Sequence, residues 1–204
     1  MSQPTAASVD GSFSKIPDQE LKDLLELRHR DPHSILGVHL IDDGAIVRTY
    51  RPDAQQVFLL LEDRGPREML PRPEPGLFEI AVAEPGPDVF RYRLEVHYPG
   101  NNRVTIREPY SFPPTLGDLD VHLWVEQKQD QIWKKMGAHP IEVAGVGGTS
   151  FALWAPNSAG ISVVGDFNGW DGRLDMMRML GNSGLWELFI PDLGPGALYK
   201  YEIR

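Results

Sequence analysis

Trp170 has the most to offer chemically. It sits in Val163-Val164-Gly165-Asp166-Phe167-Asn168-Gly169-Trp170-Asp171-Gly172, beside the short polar side chains Asp166, Asn168 and Asp171. An indole face next to hydrogen-bonding groups suits a ligand with both C–H and O–H faces, which describes a sugar. The same ring could fold back over a core edge, as large aromatics often do. Other chemistry has little support. Gly145-Val146-Gly147-Gly148-Thr149 is glycine-rich but has no lysine for a phosphate, and no Gly-x-Ser-x-Gly elbow occurs. Asp166 and Asp171 flank Trp170 but read as turn formers, not as a carboxylate pair for acid–base work. His29 and His33 have the spacing of helical metal ligands, but Pro32 falls between them and no carboxylate-rich segment follows. The sequence has no cysteine. No catalytic residue, metal or cofactor is expected.

Composition narrows the partners. The 204 residues carry a formal net charge of −9 with no basic cluster, which argues against nucleic acid and anionic membrane. Met1 to Gly11 lack a basic start and an apolar run, and no stretch approaches membrane-spanning length. A cytoplasmic protein is the simplest expectation. With 20 Gly and 18 Pro the chain favours turn-rich β structure.

The elements that must position Trp170 follow from the pattern. Residues 1–15 are polar, without periodicity, and are expected to be a disordered lead. Pro17, Asp18 and Glu20 suit a helix first turn, and Leu21, Leu24, Leu25 and Arg28 recur at helical spacing, with Pro32 as a stop. Short β runs follow at Ala45–Tyr50, Val57–Leu61, Leu77–Val82, Val89–His97 and Val104–Ile106. Alternation puts Phe90, Tyr92, Leu94 and Val96 on one face. From Leu116 to Gly137 the period turns helical, with Leu119, Leu123, Ile132 and Met136 as a stripe. Val121, Trp124, Val125 and Trp133 widen it, so the segment is expected to pack against both neighbours. The β pattern returns at Ile141.

That second stretch repeats the first. Val47–Pro52 aligns with Phe151–Pro156 at an offset of 104, Gly76–Ile80 with Gly184–Leu188 at 108, and Phe90–Tyr92 with Tyr199–Tyr201 at 109. The expected fold is mainly β: two tandem immunoglobulin-like β-sandwiches joined by a helical connector, with a short N-terminal helix. The expected divisions are 16–115 for the first sandwich with its helix, 116–140 for the connector and 141–204 for the second sandwich. The second copy stops at Arg204, inside its hairpin, so a last strand is expected to be missing. The chain then reads as a fragment, with an open sheet edge and a weakly stabilised second domain. By comparison with Phe78, Ile80 and Val82, the residues Trp186, Leu188 and Ile190 face the core, and Trp154 is expected there too. Lys200 lies between Tyr199 and Tyr201 and points away from them. If they face in, it faces solvent.

Leu153-Trp154-Ala155-Pro156-Asn157, Gly165–Trp170, Gly184–Glu187 and Leu198–Glu202 together resemble the family 48 carbohydrate-binding module. With Asp31–Gly37 and Gly137–Pro140 added, residues 17 to 204 resemble the N-terminal half of bacterial 1,4-α-glucan (glycogen) branching enzymes. The resemblance implies an α-amylase-type barrel elsewhere that holds the catalytic carboxylates. The whole enzyme would move an α-1,4-glucan chain to a 6-hydroxyl. None of the barrel's motifs occurs here, so the chain is expected to be inactive alone. The resemblance implies α-glucan, such as glycogen or amylose, as partner, and it assigns glucan contact to Trp170 and Lys200, with Asn168 grouped beside them. A further aromatic of that site would lie beyond Arg204. The alternative it leaves is a pair of structural modules that pack on the barrel and bind no sugar.

Overall fold

The computed structural model describes residues 14–204 apart from 43, 63, 127, 129 and 130. The expected lead therefore lies almost wholly outside the described residues. Helix α1 (Asp18–Leu25) starts at Pro17 with Asp18 and Glu20 in its first turn. It ends before Pro32, because Leu27 takes a left-handed backbone, φ 57°. Eight strands follow: β1 (Gly37–Ile41), β2 (Gly44–Tyr50), β3 (Gln56–Leu61), β4 (Arg64–Glu68), β5 (Leu70–Pro71), β6 (Leu77–Ala83), β7 (Arg93–Tyr98) and β8 (Asn102–Arg107). Helix α2 (Asp118–Val125) leads into β9 (Gly137–Val143), β10 (Val146–Trp154), β11 (Ile161–Gly165), β12 (Arg178–Met179), β13 (Leu185–Pro191) and β14 (Tyr199–Ile203).

The strands form two sandwiches with immunoglobulin-like character. In the first, an antiparallel sheet β1-β2-β6-β5 faces β4-β3-β7-β8. Val47, Ile80, Leu59 and Val96 fill the space between them. The continuous apolar run of β3 belongs to an inner strand, paired on both sides. In the second, β12-β13-β10-β9 faces the pair β11-β14. Phe151, Leu188, Trp186 and Val163 meet between them.

The repeat holds at the level of register. Tyr50 pairs with Leu77 and Val47 with Ile80; their equivalents pair likewise, Trp154 with Leu185 and Phe151 with Leu188. It also reaches further back than the sequence pattern. Helices α1 and α2 begin 100 positions apart, as do β1 and β9. His39 meets the Leu36 carbonyl through Nε2 at 3.2 Å, and His139 meets the Met136 carbonyl at 2.8 Å. Ahead of each helix a hydroxyl residue grips a strand glutamate. Ser14 N and Oγ donate to Glu79 at 2.9 and 2.6 Å, and Thr115 N and Oγ1 donate to Glu187 at 3.0 and 2.7 Å. An arginine closes each glutamate, Arg48 on Glu79 and Arg178 on Glu187. The expected helical connector holds α2, the counterpart of α1 in position, and β structure resumes at Gly137, ahead of Ile141.

Three expectations need correction. Phe90 is exposed, because a 3₁₀ turn ends there and the strand starts only at Arg93. Leu119 and Val125 on α2, and Trp133 in the turn beyond it, are more than 60% exposed, so this segment does not bury its apolar face as expected. Trp154 is 55% exposed, whereas its equivalent Tyr50 is buried under the second unit. The strand position is the same in both copies, and only the cover differs.

The two units share one core. Leu24, Ile35, Leu36, Tyr50 and Leu77 lie on the outer face of the first unit and pack against Met176, Met177 and Met179 of the second. The backbones also lock, with Met179 N donating to Arg30 O at 2.6 Å. Tyr110 spans the seam, its hydroxyl donating to Leu174 O and accepting from Met176 N, both at 2.9 Å. Replacing Tyr110 by Phe leaves a buried carbonyl and amide without that partner. The expected cost is about 1–3 kcal/mol, read as a lower urea midpoint with an unchanged slope. An unchanged midpoint would mean that the hydroxyl contributes nothing.

Candidate functional site

Strand β11 ends in the corner that carries Trp170. A 3₁₀ turn over Asp166–Asn168 follows Gly165, and Gly169 and Trp170 then take left-handed backbones, φ 64° and 62°. Asn168 stitches this corner. Its Oδ1 accepts from Gly165 N at 2.9 Å, and its Nδ2 donates to Val163 O at 2.8 Å and to Asp175 Oδ2 at 2.7 Å. Trp170 N closes the loop on Gly165 O at 2.9 Å. Gly165 is required by space: a Cβ there would lie 2.3 Å from Leu198 O.

The indole is held in place and partly open. Its Nε1 donates to Asp166 Oδ1 at 2.8 Å, and the residue is 42% exposed. Strand β14 supplies the second group. Gly165 pairs with Tyr199, Val164 with Lys200 and Val163 with Tyr201. The strand's alternation turns Tyr199 and Tyr201 toward Phe151, with ring centroids at 4.9 and 6.4 Å. Lys200 therefore points outward, and its Nζ stands 5.9 Å from the Trp170 ring centroid, within reach of a cation–π contact.

Of the three sequence candidates, Trp170 and Lys200 come together on the surface. Asn168 lies beneath them, half-buried, with both ends of its amide engaged by the corner. Asp171 faces Arg173, which also reaches Asp53 of the first unit at 2.5 Å. The hydrogen bonds from Arg173 hold the Asp171 carboxyl below the usual carboxylate range. Under Asn168, burial pushes Asp175 up to about 6.

Two features escaped sequence reasoning. Asp166 orients the tryptophan, a role that an Asp-x-x-x-Trp spacing in a turn does not announce. A cleft of about 650 Å³ opens between the units beside Asn168 and Gly169, with Tyr98 and Arg107 on one wall and Phe167 and Asp192 on the other. Its walls lie far apart in sequence, so no local motif marks it. Among the described residues no cluster of His, Asp or Glu could hold a metal ion, and no helix is long and apolar enough to cross a membrane. What the corner offers is an aromatic plane, an ammonium and a carboxylate at the surface. These groups suit adhesion to a neutral polyhydroxyl ligand, not bond cleavage.

Two family descriptions match the chain. Residues 17–110 match the alpha-1,4-glucan branching enzyme GlgB N-terminal domain, and residues 135–204 match carbohydrate-binding module 48, the isoamylase N-terminal domain. Among curated proteins, the 1,4-alpha-glucan branching enzyme GlgB of Myxococcus xanthus is 51% identical over 188 residues, 92% of this chain and 25% of that one. The enzyme of the same name from Paramagnetospirillum magneticum is 49% identical over 176 residues, covering 86% and 23%. The chain thus spans about a quarter of the length of these relatives. Among solved structures, ligand-free PulA from Klebsiella pneumoniae is similar over 41% of this chain and 9% of its own, with 19% identity and a TM-score of 0.32, too low to bear on the fold.

Proposed function

The chain carries the N-terminal domain of alpha-1,4-glucan branching enzymes followed by a family 48 carbohydrate-binding module, and we propose that it contributes α-glucan binding and positioning to branch formation. The glucan is of the glycogen or amylose type, and the contact is the Trp170–Lys200 corner. The observation that carries this reading is Lys200 Nζ standing 5.9 Å from the centroid of a partly exposed tryptophan ring. A pyranose presents axial C–H groups that stack on an indole, while an ammonium at the ring's edge donates to hydroxyls. We assign no catalytic residue within the described chain. Transfer of a glucan chain from an α-1,4 to an α-1,6 linkage is the part of the proposal that belongs to the longer enzyme.

The test is glycogen co-sedimentation or affinity electrophoresis of the folded chain. Trp170→Ala is expected to weaken binding at least tenfold, roughly 1.4 kcal/mol or more. Lys200→Ala should cost less, about threefold, because an exposed ammonium competes with water. Trp170→Ala binding glycogen as tightly as the wild type would remove the corner from the glucan site.

A further inference from the structure

The cleft of about 650 Å³ between the units lies within the usual size range of small-molecule sites. Strand β8 and Tyr98 form one wall, and the chain from Ile190 to Leu193 faces them. Arg107 Nε donates across it to Asp192 Oδ2 at 3.1 Å. The lining is mixed: Val104, Ile106, Leu174 and Leu193 are aliphatic, and Tyr98 and Phe167 are aromatic. Hydrogen-bonding capacity is left over among them. Arg51 is 4% exposed, and its Nε is buried without a partner among the described residues, although its Nη2 donates to Glu108 at 3.3 Å. Asp175 is also buried; its Oδ2 accepts from Asn168 Nδ2, and its Oδ1 accepts from no described residue. The Tyr98 hydroxyl is likewise unpartnered among the described residues. Such open groups cost free energy unless water or a ligand meets them. Charge is nearly balanced, because Arg51 pairs with Glu108 and Arg107 with Asp192.

We propose that this cleft between the units binds a short α-1,4-glucan segment, as a second contact distinct from the Trp170–Lys200 corner. The proposal rests on the glucan reading of that corner. An anion entering the cleft would meet Asp175 and Asp192, and a cation would meet Arg51 and Arg107. A neutral ligand avoids both penalties. A glucose unit presents C–H groups to aliphatic and aromatic side chains, and its hydroxyls both donate and accept. It can therefore accept from Arg51 Nε and donate to Asp175 Oδ1, which no purely apolar ligand does. The two contacts share one turn: Phe167, Asn168 and Gly169 line the cleft, and Trp170 follows them directly. The walls come from different units, so a ligand that touches both holds β8 to the end of β13 and stabilises the seam.

The test is a two-dimensional amide NMR titration of the full 204-residue chain with maltotriose. In the wild type, saturable shifts are expected at Thr105, Arg107 and Leu193 in the cleft and at Lys200 beside the corner. Trp170→Ala should remove the Lys200 shifts and keep those of the cleft. Thr105→Trp, at an exposed position on edge strand β8, should do the reverse, weakening the cleft roughly tenfold or more. Tyr98→Phe, which removes one oxygen and keeps the ring, should weaken it about threefold. Saturating maltotriose should also raise the urea midpoint of Trp170→Ala. Shifts at Lys200 without any in the cleft would overturn the proposal and leave the corner reading standing. Cleft shifts that ignore Thr105→Trp would also overturn it, as would equal shifts with β-linked cellotriose. No shift at either place would overturn both readings. Cleft shifts without any at Lys200 would support the proposal and remove the corner instead.

Discussion

Gly160→Ala is expected to destabilise the protein by about 3 kcal/mol or more, at the upper end of what overpacking costs. A Cβ on Gly160 would lie 2.1 Å from Leu27 O, 3.0 Å from its carbonyl carbon and 3.2 Å from Arg28 Cα. All three are backbone atoms, so no rotamer change relieves the clash. The end of α1 would have to retreat from the second unit. That movement would open the cluster in which Leu24 meets the second unit's methionines. Two consequences are measurable. The urea midpoint should fall, and the single cooperative transition expected of a shared core should broaden or split, because the units would no longer unfold together. Gly194→Ala is the control. Nothing lies within 4 Å of its added Cβ, so its effect should stay within about 0.5 kcal/mol. Equal midpoints for Gly160→Ala and the control would show that the seam at Leu27 is loose. Separate transitions in the wild type would show that the two cores are independent, with the second domain weakly stabilised as the sequence reading expected.

The second large effect depends on pH. Asp175 is buried at the seam, and burial raises its pKa from 3.8 to about 6. A carboxyl whose folded pKa lies above its unfolded value favours folding in its protonated form. That contribution is complete below pH 3.8 and is lost as pH rises through about 6. At neutral pH the native state therefore holds a buried carboxylate at a cost of up to about 3 kcal/mol, the free energy that separates a pKa of 3.8 from one of about 6. Asn at this position copies the protonated acid and can still accept from Asn168 Nδ2. Asp175→Asn should be more stable than the wild type by about 1–3 kcal/mol above pH 7. The advantage should shrink as pH falls from about 6, and the two should converge below pH 3.8. Urea titrations at about pH 3.5 and pH 7.5, on either side of that range, give the difference directly. An advantage independent of pH would place its origin in packing instead of charge.

What the sequence disclosed was the part carried by apolar alternation. β2, β6, β10 and β13 are inner strands with strong patterns, and their repeat was legible as aligned segments, Val47–Pro52 with Phe151–Pro156 and Gly76–Ile80 with Gly184–Leu188; the matching registers came only with the structure. Of the edge strands, β8 was legible at Val104–Ile106, but β4 was not. β4 reads Arg-Gly-Pro-Arg-Glu and forms because β3 offers it a backbone ladder, not because its side chains ask for burial. The duplicated leading helix was hidden because its copies keep the anchors and little else: Asp18 and Asp118, Gly37 and Gly137, His39 and His139. Trp154 was misplaced for a related reason, since alternation assigns a face to a residue but does not say what covers that face. At the candidate site Trp170 and Lys200 stood out by type and alternation, and the structure brings them together. The amide of Asn168 is committed to Gly165, Val163 and Asp175, and such commitments between turn atoms leave no periodic trace.

Trp170 also sets the fold against the function. A non-glycine residue at φ 62° sits where its Cβ crowds the neighbouring carbonyl, at a cost of roughly 1–2 kcal/mol. Glycine there would relieve the backbone and shorten the search for a more stable corner to a single codon. It would also erase the ring, its hold on Asp166 and its face toward Lys200. Selection for thermal robustness alone would therefore drift toward Trp170→Gly, and selection for ligand capture would resist it. A library sorted first for stability and then for glycogen retention should part at this position, with the tryptophan kept only by the second sort.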